Sequence, residues 1–359
     1  MTEPRGERPT KPLRACPKPL AEAYDTILSD LDGVVYLAGE PVRGTGEALE
    51  GAKTRGARVA FVTNNASRTP AAVAGRLREL GTTANTNDVV TSAQAAARLV
   101  ARRVPPGSAV LVVGGAGLRQ AVRAHGLRPV TLAADNPAAV VEGFVATTSY
   151  DMLREGGLAV RRGALFVASN ADVTMPTIGG QVPGNGSLLR VIATATGQEP
   201  LVAGKPERPL FDEALRRTRA RLPLVVGDRL DTDIEGAARA DMPSLLVLTG
   251  VTSAFDLLRA PARCRPTYIA PDAYGLLSAH PEVERVNGVW RCRGWSVWME
   301  EGGWLIEDAA GSVPGADAHD GLRALCAAVW ASPDAVDDRS LAHAVDRLGL
   351  VSRPGAAVK

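Results

Sequence analysis

The sequence predicts an α/β protein: a parallel sheet flanked by helices, an inserted second α/β unit, and a small α+β module at the carboxyl end. Three observations carry that expectation. From Tyr24 to about residue 101, short apolar runs alternate with amphipathic helical patterns, as the strands and helices of a parallel sheet do. A second such stretch begins near Pro105-Pro106-Gly107, and the first pattern resumes over residues 201–277. Beyond His280 the composition changes, because all five tryptophans (Trp290, Trp295, Trp298, Trp304 and Trp330) fall there. The expected units are a disordered tail over 1–18, a core formed by 19–101 and 203–279, an insertion over 102–202, and an accessory module over 280–359.

Each element follows from local pattern. Residues 1–18 are rich in Pro, Lys and Arg and lack the continuous apolar segment of a signal peptide. Strands are expected over 26–29 and 58–63. Helices are expected over 44–55, and over 69–80, where Pro70 suits the first turn and Gly81 the stop. In the insertion, a strand over 109–113 leads through the turn 114–117 into a helix ending near Ala124, with another strand near 139–145. That glycine-rich turn invites a dinucleotide-binding reading. Gln120, however, stands where the third glycine of GxGxxG would fall, so a tight strand-to-helix turn is the expectation. Strands over 222–226 and 244–248, separated by a helix over 234–240, rejoin the first sheet. In the last module, residues 289–307 read as strands turning through Glu301-Gly302-Gly303. Leu322, Leu325, Cys326 and Val329, then Leu341, Ala344, Val345 and Leu348, repeat at helical spacing. The tryptophans are expected as core, since a module this small needs large side chains to build one.

Composition narrows the function. The 359 residues carry 41 basic and 39 acidic side chains, a net charge of +2, so neither nucleic acid nor an anionic membrane is the expected partner. No apolar run approaches the roughly 20 residues that span a bilayer. Four cysteines without CxxC spacing (Cys16, Cys264, Cys292, Cys326) read as reduced thiols of a cytoplasmic protein. Four scattered histidines form no metal motif. Self-association is compatible with the chain.

The motifs point to phosphoryl transfer. Asp30-Leu31-Asp32-Gly33-Val34 ends a short strand and brings two carboxylates toward one pocket. Asp30 could attack phosphorus to form an aspartyl-phosphate, and Asp32 could protonate the leaving alkoxide and later activate water. Phe61-Val62-Thr63-Asn64-Asn65 ends a second apolar run with a hydroxyl and two amides suited to phosphate oxygens. Gly204-Lys205-Pro206 offers an ammonium that could neutralise nucleophile and phosphate together. The loop after Val225-Val226-Gly227 holds Asp228, Asp231 and Asp233, a hard-cation site. Mg2+ fits there, held by Asp30, Asp228 and the Asp32 carbonyl, with Asp233 holding metal-bound water or Lys205. A calcium-only structural loop leaves unexplained why all four motifs close strands.

With these motifs the chain resembles the haloacid dehalogenase superfamily of phosphatases, in the branch whose large α/β cap lies between the threonine and lysine motifs. The resemblance implies a Rossmann-like core over 19–101 and 203–279 with a cap over 102–202. It implies Asp30 as nucleophile, Asp32 as acid/base, Thr63 and Asn64 as phosphate binders with Asn65 beside them, and Lys205 as charge stabiliser. It further implies Asp30, Asp32 and Asp228 as metal ligands for Mg2+, and Asp233 as the supporting acid. It extends through Thr91-Ser92-Ala93, Asn170-Ala171-Asp172 and Pro183-Gly184-x-Gly186, and Ser169 stands where relatives more often have threonine.

The cap segment Asp172-Val173-Thr174-Met175-Pro176 is similar to the one that faces the leaving group, which makes Asn170, Asp172 and Met175 candidate substrate contacts. Met175 and Val173 offer neither the stacking surface nor the ring hydrogen bond of the vitamin B6 phosphatases. A small polyol phosphate is therefore expected, glycerol 3-phosphate first, with phosphoglycolate, pyridoxal phosphate and nucleotides as alternatives. The carboxy-terminal module faintly resembles acetyltransferase-like domains, which would imply acyl-coenzyme A binding on a scaffold phosphatase. It lacks a pyrophosphate loop.

Overall fold

The computed structural model describes residues 13–177, 179–300, 303–309, 313–332 and 337–350. Its first sheet is parallel and six-stranded, in the spatial order Tyr268–Ala270, Ser244–Val247, Pro223–Gly227, Thr26–Ser29, Arg58–Thr63, Val89–Thr91. Thr26–Ser29 is buried along its whole length, as a strand covered on both faces must be. It pairs with Pro223–Gly227 on one side and Arg58–Thr63 on the other, with Ser29 opposite Val226 and Phe61. The chain order reverses there, and such a switch point opens a crevice at the strands' carboxyl ends. Asp30, Thr63 and Asp228 are the residues that emerge into it.

The expected helices form as Thr45–Thr54 and Pro70–Glu79, the second capped by Thr69 Oγ1, which accepts from Ala72 N–H at 3.2 Å. A second parallel sheet runs Leu201–Val202, Leu165–Ala168, Ala139–Glu142, Ala109–Val113, Arg128–Val130. The strand expected to reach residue 145 stops at Glu142; Gly143 N–H still donates to Val113 O at 2.9 Å, and Phe144 then leaves the sheet for the cleft wall. The glycine-rich turn at 114–117 docks on the first unit, with Gly117 N–H donating to Ser67 O at 3.1 Å.

Between the two sheets lies the helix Ser92–Ala101, started by a reciprocal cap in which Thr91 N–H donates to Gln94 Oε1 at 2.9 Å. Ala93, Ala95, Ala96, Ala97 and Val100 are all buried, and one apolar cluster runs from Leu28 and Val90 through them to Val112 and Val141. Small side chains let both sheets approach a single helix.

After His280 come an antiparallel four-stranded sheet, Glu284–Val286, Val289–Cys292, Trp295–Glu300 and Gly303–Asp308, and the helices Ala318–Ala331 and Asp338–Arg347. The turn residues Glu301 and Gly302 lie outside the described residues. Trp295 and Trp304 are core residues as expected. This segment was expected as a separate module, yet its apolar interior is continuous with Ile234, Leu246, Leu257 and Ile269 of the first unit. Arg323 Nη2 donates to Ile269 O at 2.7 Å, and Trp330 Nε1 to Leu257 O at 3.3 Å, tying the two together.

The expectation of a disordered tail over 1–18 is corrected for its last residues. Cys16 is buried and exchanges two backbone hydrogen bonds with His280, at 2.9 and 2.8 Å, and Arg14 N–H donates to Thr267 O at 3.1 Å. Composition marks the stretch as polar, but Thr267, beside the edge strand Tyr268–Ala270, and the isolated bridge to His280 give its backbone partners. Residues 1–12 lie outside the described residues. All four cysteines are free and buried.

Candidate active site

The crevice is a cleft of about 630 Å³ whose floor carries Asp30, Thr63, Lys205 and Asp228 and whose roof comes from the second sheet and its hairpin. That size lies within the usual range for small-molecule sites. Asp30 N–H donates to Val226 O at 2.8 Å, extending the ladder one residue and fixing the side chain at the floor. Gly33 has φ +80°, and a Cβ there would stand 2.3 Å from Asp228 Oδ2, so only glycine lets the two acidic loops meet. Thr249 Oγ1 donates to Gly33 O at 2.6 Å, and Val251 N–H to Asp228 Oδ2 at 2.7 Å, bracing both loops from one segment.

Lys205 is buried and all three of its ammonium protons are satisfied. Nζ donates to Asp30 Oδ1 at 2.6 Å, Asp233 Oδ1 at 2.7 Å and Val62 O at 3.1 Å. Burial opposes its charge, but Asp233 and Asp30 outweigh burial and hold its pKa above the ordinary lysine value. The acids around it are pushed upward, chiefly by burial. Asp30 is raised, with Lys205 opposing. Asp233 is raised to about 6, again against Lys205, and Asp228 to about 8, where repulsion from Asp233 and Asp30 adds to burial. Asp32 is solvent-accessible because it lines the open cleft, yet the cleft walls desolvate it enough to raise its pKa against the pull of Lys205 and Arg68.

Carboxylate oxygens of Asp30, Asp228 and Asp233 lie within 4.8 Å of one another. Asp233 spends its oxygens on Lys205 Nζ and on Arg229 N–H at 3.2 Å, and so supports the cluster. Asp228 Oδ1 is buried with no hydrogen-bond partner among the described residues. An unpartnered buried oxygen in an all-carboxylate cluster suits a hard divalent cation, and Mg2+ fits. The Asp32 carboxylate stands outside this cluster, which leaves its main-chain carbonyl as the atom it could offer a cation.

The remaining expected residues divide. Thr63 lines the cleft, buried, with Oγ1 accepting Asn65 N–H at 3.1 Å. Asn65 Oδ1 accepts from both Ser67 N–H and Ser67 Oγ, so what it can offer is its amide N–H2. Asp172 and Met175 line the cleft, Met175 from the hairpin Thr174–Thr177/Gly180–Pro183. Asn170 also lines the cleft, with its amide donating one proton to Asn64 O at 2.8 Å and accepting Asp172 N–H at 3.2 Å. Asn64 is similarly engaged. Asp231 turns away to a two-pronged pair with Arg229, Nε at 3.0 Å and Nη2 at 2.8 Å.

The wall residues that were not anticipated include Arg229, Phe144 and Asn185. An arginine flanked by Asp228 and Asp231 was a readable signal for the first. Phe144 sits in a loop with no distinguishing pattern, and Asn185 opens the helix Asn185–Thr196 at the unspecified position of Pro183-Gly184-x-Gly186.

Residues 27–128 match a haloacid dehalogenase-like hydrolase family, and residues 202–276 a HAD-hydrolase-like family. The acetyltransferase likeness of the tail is not confirmed by them. D-glycerol 3-phosphate phosphatase of Mycobacterium tuberculosis is 48% identical over 317 residues, 87% of this chain and 88% of that protein. The 5'-nucleotidase YutF of Bacillus subtilis is 39% identical over 64% of this chain and 90% of its own length. Among solved structures, a glycerol phosphate phosphatase of Mycobacterium tuberculosis in complex with magnesium superposes with a TM-score of 0.82 and 43% identity, covering 93% of this chain and all of that one. A 4-nitrophenylphosphatase of Thermotoga maritima gives 0.66 and 31%, over 72% and 98% of the two chains.

Proposed function

Since the chain belongs to the haloacid dehalogenase-like hydrolase family, we propose that it is a magnesium-dependent phosphomonoester phosphatase whose substrate is a small polyol phosphate, glycerol 3-phosphate first. The observation that carries the reading is the convergence of Asp30, Asp228 and Lys205 at the carboxyl ends of strands on one cleft floor. Asp30 attacks phosphorus, and the ester P–O bond breaks as an aspartyl-phosphate forms. Asp32, whose raised pKa favours the protonated form, gives its proton to the leaving alkoxide. The resulting Asp32 carboxylate takes a proton from water as that water attacks the aspartyl-phosphate, releasing inorganic phosphate and restoring Asp30. Thr63 and Asn65 offer donors to the phosphate oxygens, and Lys205 balances the charge of Asp30 throughout.

Asp30, Asp228 and the Asp32 main-chain carbonyl would hold Mg2+, with Asp233 supporting through Lys205. When bound, the ion offsets repulsion between the carboxylates and the phosphate dianion and polarises phosphorus. The catalytic unit is 19–101 with 203–279, the cap 102–202, and the tail an accessory segment. The reading is of a cytoplasmic enzyme acting on a small phosphate ester without a nucleic-acid or membrane partner, in keeping with its near-balanced charge. It is compatible with a homo-oligomer.

A polyol leaving group is supported by the glycerol phosphate phosphatase relative and by Met175, Thr174 and Asp172 on the wall. A second reading, an aromatic ester such as a nucleoside monophosphate or pyridoxal phosphate, is favoured by Phe144 in the same wall and by the cleft's volume of about 630 Å³. Steady-state hydrolysis of a phosphometabolite panel separates them. The specificity constant for glycerol 3-phosphate should exceed that for pyridoxal 5'-phosphate, and chelator should abolish turnover until magnesium is returned. The reverse preference would refute the polyol reading.

A further inference from the structure

We propose that Asn64 is a positioning residue that couples the cap loop at 170–172 to Lys205, and that its amide does not bind the substrate's phosphate. This rests on the phosphatase reading above. The donor count is decisive. An asparagine amide has two N–H protons, and here Nδ2 donates to Asp172 Oδ2 at 3.0 Å and to Lys205 O at 3.1 Å. Oδ1 accepts Lys205 N–H at 2.8 Å. The amide thus grips the backbone of Lys205 from both sides and has no proton left for a phosphate oxygen.

The backbone of Asn64 is held just as firmly. Its carbonyl accepts Ser92 Oγ at 2.6 Å from the buried helix and Asn170 Nδ2 at 2.8 Å from the cap. The cap therefore touches Asn64 twice, through Asn170 and Asp172, and Asn64 in turn sets the residue whose ammonium stands between Asp30 and Asp233. Gly204 makes the approach feasible, since a Cβ there would lie 2.5 Å from Asn64 Oδ1. A cap loop displaced from its seat would leave one Nδ2 proton and one lone pair of the Asn64 carbonyl without partners, loosening the residue that holds the Lys205 backbone. The seating of the 170–172 loop and the placement of the lysine are thereby coupled.

Double-mutant cycles on the full chain with saturating magnesium test this. Asn64→Ala should lower kcat for glycerol 3-phosphate about 100-fold, the scale of a roughly 1 Å misplacement of a catalytic group. In a Lys205→Ala background the same change should cost less than about threefold, because the residue it acts through is gone. Asn64→Ala with Asp172→Ala should likewise cost less than the product of the two single losses. If Lys205→Ala fails to fold by circular dichroism, the Asp172 cycle decides. Losses that multiply independently, or a rise in KM with kcat unchanged, would overturn the inference while the wild-type enzyme still hydrolyses phosphate esters. No magnesium-dependent phosphate release by the wild type would overturn the phosphatase reading itself, and this inference with it.

Discussion

Replacing Glu142 with glutamine should make the protein more resistant to unfolding at neutral and alkaline pH, and hardly at all under acidic conditions. Glu142 ends the strand Ala139–Glu142 with 1% of its surface exposed. Asn185 Nδ2 donates to its Oε2 at 2.8 Å. Burial raises its pKa from 4.5 to about 8, and the Asn185 hydrogen bond offsets part of that rise. A folded-state pKa above the unfolded value means the folded protein binds the extra proton. The stability this contributes is fully present below pH 4.5 and is lost as pH rises through about 8. At about 1.4 kcal/mol per pH unit, wild type forfeits on the order of 3 kcal/mol by pH 7. Glutamine keeps the size, accepts the Asn185 proton and cannot ionise. The difference between variant and wild type should therefore grow from about 1 kcal/mol at pH 5 to about 4 kcal/mol at pH 7.5. Urea midpoints followed by circular dichroism at several pH values measure it. The slope is the test, because the buried amide N–H2 adds only a pH-independent offset. A difference that stays constant between pH 5 and 7.5 would refute the reasoning.

Other substitutions probe the chemistry and the tail. Asp30→Asn should cut turnover beyond the roughly 1,000-fold typical of losing one oriented donor, with the circular dichroism spectrum unchanged; near wild-type phosphate release would sink the covalent mechanism. Asp32→Asn should slow an alkyl phosphate more than 4-nitrophenyl phosphate, whose leaving group needs little protonation; equal losses would count against Asp32 as general acid. Arg323→Met strips the buried Asp320 of its 2.6 Å partner and Ile269 O of its donor. That should cost about 3 kcal/mol and, at about 2.1 cal/mol/K of unfolding entropy per residue, lower Tm by about 4 °C while kcat stays within twofold, and a Tm shift under about 1 °C would contradict it.

The cleft floor was legible because Asp30, Thr63 and Asp228 sit where strands end, and strand ends can be found from apolar runs alone. Asp30, Thr63 and Asp228 needed only that rule. What Asn64 does was not legible, since its partners Asp172 and Lys205 lie 108 and 141 residues away and its side chain chooses them over the phosphate. The described residues near Cys16 were hidden for a similar reason: a polar local sequence says nothing of a bridge partner 264 residues later, at His280. Trp295 and Trp304 were rightly assigned to a core, Trp290 and Trp330 pack against it only partly buried, and Trp298 lies outside it. That this core would be shared with Leu246 and Ile269 depends on tertiary packing, which periodicity does not encode.

The alanine-rich helix Ser92–Ala101 constrains how the enzyme can breathe. Its apolar surface belongs to both sheets, so a rigid-body swing of the cap away from the core would tear open a continuous hydrophobic cluster that includes Val100, Val112 and Val141. Substrate entry and product exit then fall to smaller movements, of which the exposed hairpin carrying Met175 is the natural agent. The amides of Ala95 to Val100 should exchange with solvent only when the whole molecule unfolds, and those of the hairpin on the timescale of local fluctuation. Hydrogen exchange would show the helix as the slowest region and the hairpin as the gate.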